Sequence, residues 1–117
     1  MTTTTSIVPG DVCLARIPFT SGEADKVRPV VVLWLDGLDC VVCAVTTARP
    51  RGPRDLLLED WESEGLVRPS TCRLGRLNTM EQKLLTRRIG RLTDADARAV
   101  LGLWRRHIRP AWHPGTT

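Results

Sequence analysis

The run Val30-Val31-Val32-Leu33-Trp34-Leu35 constrains the fold of this chain more than any other segment. Six consecutive apolar residues, led by three β-branched valines, show no polar alternation, the pattern of a strand buried on both faces. Asp36-Gly37 directly after it is a tight-turn signal, and the run from Cys40 to Thr46 is again rich in valine. Two such runs around a short turn predict an antiparallel meander. A first strand is expected over Val12–Ile17, opened by Gly10-Asp11 and ended by Pro18, which cannot donate to a ladder. The polar stretch 19–27, with Gly22, then reads as a loop.

Downstream the pattern stays β-rich. Thr47 to Arg54 holds two prolines, a glycine and three arginines and reads as a mobile basic loop. Leu56–Leu58 is a candidate short strand, 59–64 an acidic turn around Trp61, and Ser70–Leu77 a further strand in which Gly75 marks a bulge. Asn78–Lys83 is expected to form one helical turn and Leu85–Leu92 the last strand. A helix follows: Thr93 is a good N-cap, Asp94 and Asp96 face the positive end of its dipole, and Pro110 stops it. Ala97, Val100, Leu101, Trp104 and Ile108 share one face of it and predict the buried stripe. Trp34 and Trp104 are expected in the core. The reading is a mainly β domain, a small antiparallel unit closed by a C-terminal α-helix, with flexible ends at 1–9 and 110–117.

At 117 residues the chain fits one domain and gains from oligomerisation, because so small a unit buries only about two-thirds of its unfolded surface. No stretch reaches the roughly 20 apolar residues of a membrane span, and the threonine-rich start is not a signal peptide, so a cytoplasmic location is expected. Cys40 and Cys43 form a C-x-x-C, but side chains three apart on a strand point to opposite faces, which argues against a zinc or redox pair. No metal and no cofactor are expected. Residues 1–67 carry 6 basic and 10 acidic groups, residues 68–117 carry 11 and 3. A positive field on one half favours a polyanionic partner.

Most enzyme classes drop out for want of a P-loop, a dinucleotide glycine fingerprint or an H-E-x-x-H. The two histidines, His107 and His113, lie in or beyond the last helix turn, a poor basis for a two-histidine ribonuclease. Arg28 is the better candidate. It precedes Pro29 at the mouth of the most buried strand, and the proline holds it extended. A guanidinium fixed there can fork onto a phosphate; a strand-edge pair with Asp25 or Glu23 is the alternative.

Taken in order, Gly10-Asp11-Val12, Pro18-Phe19-Thr20, Arg28-Pro29-Val30-Val31-Val32-Leu33, Val42-Cys43-Ala44-Val45-Thr46-Thr47, Pro69-Ser70-Thr71-Cys72-Arg73-Leu74 and Ile89-Gly90-Arg91-Leu92-Thr93 resemble the MazF/PemK toxins over roughly residues 10–104. The resemblance implies an SH3-like small barrel of the MazF/CcdB type, a toxin domain over 10–109, a homodimer and a cognate antitoxin protein as partner. It further implies cleavage of single-stranded RNA, including mRNA, at a short sequence without a metal, by the RNA's own 2′-hydroxyl. The products would be a 2′,3′-cyclic phosphate and a 5′-hydroxyl. Arg28 and Thr46 match the family's catalytic arginine and hydroxyl, with Thr47 in place of Thr46 if the register shifts by one. Glu23 is the candidate acid, although Ser21-Gly22-Glu23 departs from the family's Gly-Ser-Glu order. Arg49, Arg51 and Arg54 are expected to border the RNA groove and Ser70 to contact RNA or the second subunit. Two rivals keep the fold and drop the chemistry, a CcdB-like gyrase-binding toxin and a catalytically inactive nucleic-acid binder.

Overall fold

The computed structural model describes residues 6–17 and 26–115. Six strands are present: β1 (Asp11–Ile17), β2 (Lys26–Asp36), β3 (Asp39–Thr46), β4 (Asp55–Leu57), β5 (Thr71–Glu81) and β6 (Leu85–Arg91). A 3-10 turn (Gln82–Leu84) precedes β6, and a single helix α1 (Asp94–His107) follows it. The strands form one antiparallel sheet in the order β4-β5-β3-β2-β1-β6. The expected meander is its centre, with Gly37 at a positive φ of 59° in the turn between β2 and β3. The architecture is therefore the mainly β one, although the sheet curls without closing and leaves β4 and β6 as edges.

Curling comes from bulges, which increase local twist. The pairing of β3 with β5 jumps from Cys43↔Leu77 to Ala44↔Arg73, so Leu74, Gly75 and Arg76 are extra on β5. This is the bulge that Gly75 predicts. Further shifts lie between Val32 and Trp34 on β2 and at two places between β1 and β6. The segment expected to make a helical turn at 78–83 instead stays extended to Glu81, because Asn78–Glu81 pair with Asp39–Val42 and tertiary pairing outweighs local propensity.

Two apolar clusters lie on the two faces of the sheet. On one face, Val31, Cys43, Val45, Cys72 and Leu74 pack with Leu58 and with Val100 and Leu103 of α1. On the other, Cys13, Ala15, Val30, Val32, Cys40, Val42 and Met80 pack together, with Ile7 and Ile17 against them. Alternation along β2 and β3 sorts the residues. Cys40 and Cys43 thus fall in different clusters, as their spacing requires. Cys43 Sγ instead lies 3.1 Å from Cys72 Sγ, and that contact together with burial pushes the Cys72 thiol well above its usual range.

Two details of the sequence reading are corrected. Only Val30–Val32 are buried on both faces; Trp34 remains 42% exposed and meets Trp104 edge-on at 5.7 Å, beyond the β2 bulge. The buried helix stripe is Asp96, Val100 and Leu103, whereas Leu101 faces out. Asp96 goes inside because its carboxylate accepts the N–H groups of Glu59 and Asp60 at 3.1 and 3.0 Å, compensating its desolvation. Thr93 caps the helix by accepting from the Asp96 N–H, donates its hydroxyl to Asp60 at 2.6 Å, and gives its own N–H to Glu64 at 2.9 Å. Helix and acidic turn are thereby locked together. Gly65 and Gly90 let the backbones cross here: a Cβ on Gly90 would overlap the Glu64 carbonyl, and one on Gly65 the Ile89 carbonyl.

Candidate functional site

The face of the sheet away from α1 carries an open groove of about 440 Å³. Its geometry follows from strand register. Val30 of β2 pairs with Ala44 of β3, and Ala44 pairs on its other side with Arg73 of β5. Continuing that register by two residues sets Arg28 opposite Thr46. Side chains two apart share a face, so Arg28 and Val30 look the same way as Val42, Ala44 and Thr46, and Arg73 joins them across the sheet. All six line the groove, together with Arg76, Leu77 and Asn78. Ala44 makes the room: its methyl group forms a low floor between a valine on one strand and an arginine on the next.

The chemistry of the lining is one-sided. Arg28, Arg73 and Arg76 bring three guanidinium groups and Thr46 a hydroxyl, and none of the described residues that line the groove is acidic. Thr46 Oγ1 accepts the Ala48 N–H at 3.2 Å, which fixes its rotamer and leaves the hydroxyl hydrogen as a donor. Arg73 is held from behind: its Nε lies 3.5 Å from Asp55 Oδ1, on the neighbouring strand position, and Asp55 in turn accepts the Arg51 N–H at 2.9 Å. Such an arrangement can fork onto a phosphodiester and donate to one of its oxygens.

The sequence-derived candidates separate in space. Arg28 and Thr46 come together. Thr47 sits one residue past β3, exposed on the bend, and Arg49 is exposed on the following loop. Arg51 and Arg54 line a smaller cavity of about 280 Å³ that shares Arg73 and Arg76 with the groove. Arg54 also gives its Nε–H to the carbonyl of His107 at 2.9 Å, at the end of α1. Ser70 is buried and donates to the Arg68 carbonyl at 2.7 Å. Glu23 lies outside the described residues. Reading the sequence missed Arg73, Arg76 and Asn78. Their only local signal is the alternation of Arg73 with Cys72 and Leu74; which residue of β3 they face depends on the bulge.

Among the described residues no group of three His, Cys, Asp or Glu stands close enough together to hold a metal ion. No helix among them is long and apolar enough to cross a membrane.

Known proteins with this pattern and this shape point one way. Residues 8–106 match the PemK-like, MazF-like toxins of type II toxin–antitoxin systems. The structure resembles an endoribonuclease in complex with its cognate antitoxin from a mycobacterial species, with a TM-score of 0.73 at 15% identity, covering 92% of this chain and 100% of that one. It also resembles the Mycobacterium tuberculosis toxin MazF-mt6, at 0.69 and 20% identity over 87% and 99% of the two chains. MazE-MazF from Deinococcus radiodurans gives 0.67 at 15% identity over 85% and 94%. Among curated proteins no sequence matches.

Proposed function

The chain belongs to the PemK-like, MazF-like toxins of type II toxin–antitoxin systems, and on that premise we propose that it is a metal-independent endoribonuclease that cuts single-stranded RNA. The observation that supports this reading is that Arg28 of β2 and Thr46 of β3 line one groove, over the low floor of Ala44. The RNA's 2′-hydroxyl loses its proton and attacks the neighbouring phosphorus, the bond to the 5′-oxygen breaks, that oxygen takes a proton from solvent, and the products are a 2′,3′-cyclic phosphate and a 5′-hydroxyl. Negative charge grows on the non-bridging oxygens in between. Arg28 meets that charge with a guanidinium, Thr46 donates to one oxygen, and Arg73 holds the adjoining phosphate. A guanidinium is a poor base, so the 2′-proton goes elsewhere, and Glu23 is the candidate acceptor on sequence grounds.

The same reading brings a second copy of the chain and a cognate antitoxin as partners. An antitoxin with an acidic, partly apolar segment suits a groove lined by three arginines. A gyrase-binding toxin of the same fold would need neither a phosphate-binding arginine nor an oriented hydroxyl beside it, so the groove favours the nuclease.

The test is cleavage of a long single-stranded RNA in excess EDTA by the protein and by Arg28→Ala and Thr46→Val, with the cut ends mapped. Discrete cuts with 5′-hydroxyl ends are expected, reduced on the order of a hundredfold or more in each variant. Uncut RNA with well-folded protein, or equal cutting by Arg28→Ala, overturns the assignment.

A further inference from the structure

The chain continues past α1 into an exposed segment, and the family match stops at residue 106. That segment is not shapeless chemically. With the end of the helix it lines an open cavity of about 540 Å³, whose lining includes Arg54, Arg106, Arg109, Trp112 and His113. Among the described residues none that lines it is acidic. Trp112 is 73% exposed, so its indole does no packing work that would account for it. Arg54 ties this cavity to the rest: its Nε–H bond to the His107 carbonyl anchors the 47–54 loop to the last residue of α1. It also lines the small cavity that Arg73 and Arg76 share with the groove.

The cavities therefore form a chain linked by arginines, from Arg28 through Arg73 and Arg76 to Arg54, then Arg106 and Arg109. We propose that the C-terminal segment forms a second nucleic-acid subsite, in which Arg54, Arg106 and Arg109 take phosphates of the strand leaving the groove and Trp112 stacks on one of its bases. This rests on the reading that the groove takes RNA. Alternation of guanidinium forks with an exposed aromatic face is the chemistry of single-strand recognition, where backbone charge and base stacking act together and sequence matters little. An acidic protein segment would satisfy the arginines equally well but would leave the exposed indole without a flat partner. The subsite gives the protein a grip on RNA outside the cleavage sequence, one that grows with strand length.

The test compares uncleavable 2′-O-methyl RNA strands of mixed sequence, about 5 and about 20 nucleotides long, by fluorescence anisotropy. The intact protein should bind the long strand at least tenfold more tightly than the short one. Arg109→Ala/Trp112→Ala, both beyond the last helical residue, should lose most of that advantage, and the salt dependence of long-strand binding should fall by about one ion. An unchanged length advantage in the double variant overturns the proposal. So does a variant that loses binding to a polyglutamate peptide while keeping the long strand, which would make the tail a surface for acidic protein. Since the strands cannot be cut, this readout is independent of catalysis. A protein that shows the tail-dependent length advantage yet cuts no RNA keeps the subsite and loses the nuclease reading; the opposite pattern does the reverse.

Discussion

The two faces of the sheet handle charge in opposite ways. At the start of α1 two acids are buried: Glu64 is fully covered and Asp96 is 2% exposed, both tied to backbone N–H groups. Over the groove the charged groups are arginines, and none of them is buried. The reason is the demand each group makes. A carboxylate is compact and is satisfied by two or three N–H donors, which a helix start or a turn supplies for nothing more than proper placement. A guanidinium has five donors and needs as many acceptors, so it stays at the surface. Asp11 follows the same rule at the start of β1, where it accepts from Val8 and pairs with Arg88 and Arg91. With three acids withdrawn inside, the exposed surface is more positive than the formal net charge of +4 indicates.

That division predicts which substitutions disturb folding and which disturb only function. The largest effect is expected from Gly90→Ala. Gly90 does not have a positive φ, so the obstruction is purely spatial: its new methyl would meet the Glu64 carbonyl, backbone against backbone. Loss of on the order of 4 kcal/mol or more is expected, seen as a collapsed or absent thermal transition, with RNA cleavage lost alongside. Arg28→Ala should show the reverse, cleavage lost and the melting temperature held within a few degrees. If Gly90→Ala melts like the parent protein, the helix side is not the rigid half.

Arg73→Ala comes next and tests the groove from a residue that local sequence does not flag. Cleavage should fall roughly ten- to a hundredfold. Its contact with Asp55 is long and partly exposed, and Asp55 keeps the Arg51 N–H, so stability should change by no more than about 1 kcal/mol. Arg73→Lys keeps the charge without the planar fork. Full activity in that variant would mean the groove needs only positive potential at this position, and full activity in Arg73→Ala would remove it from the site.

How much of this was legible beforehand follows the same division. Local pattern was enough for the central meander, the Thr93 cap, the helix length to within a few residues and the bulge at Gly75, because each depends on neighbours in sequence. Arg28 stood out from its place before Pro29 at the mouth of the buried strand, Thr46 only through resemblance to a family, and both line the one groove. Arg73 and Arg76 were not reached, because their position over Ala44 depends on three extra residues in β5 and on pairing between segments nearly thirty residues apart. Asp96 was correctly read as a first-turn acid facing the helix dipole, but its burial was not legible for a similar reason: its partners are the N–H groups of Glu59 and Asp60, on a turn whose approach to the helix is a tertiary fact. Trp34 was expected inside because its run is apolar, yet the β2 bulge turns it toward Trp104 at the surface.

The smallest predicted effect probes the acidic side by pH. Burial raises the Glu64 carboxyl from an ordinary 4.5 to about 7, a hydrogen bond to Asp96 and the charges of Asp96 and Asp60 push the same way, and only the Thr93 N–H opposes them. Folded protein therefore holds a proton on Glu64 over a range in which the unfolded chain has released it. Stability from this group is complete below about pH 4.5 and declines as pH rises toward 7, because there the native state binds more protons than the unfolded one. The slope cannot exceed about 1.4 kcal/mol per pH unit. Glu64→Gln keeps a carbonyl for the Thr93 N–H and a donor for Asp96, so it imitates the protonated form at every pH. Melting temperatures of the two proteins should converge near pH 5 and separate by several degrees near pH 8, the glutamine variant higher. Parallel curves would mean that Glu64 is ionised in the folded protein and that its Oε1 is reached by water. Cleavage supplies the contrast. Glu64 sits on the Thr93 N–H at the start of α1 and does not line the groove, so Glu64→Gln should leave the pH profile of the rate as it is and move only the pH profile of stability.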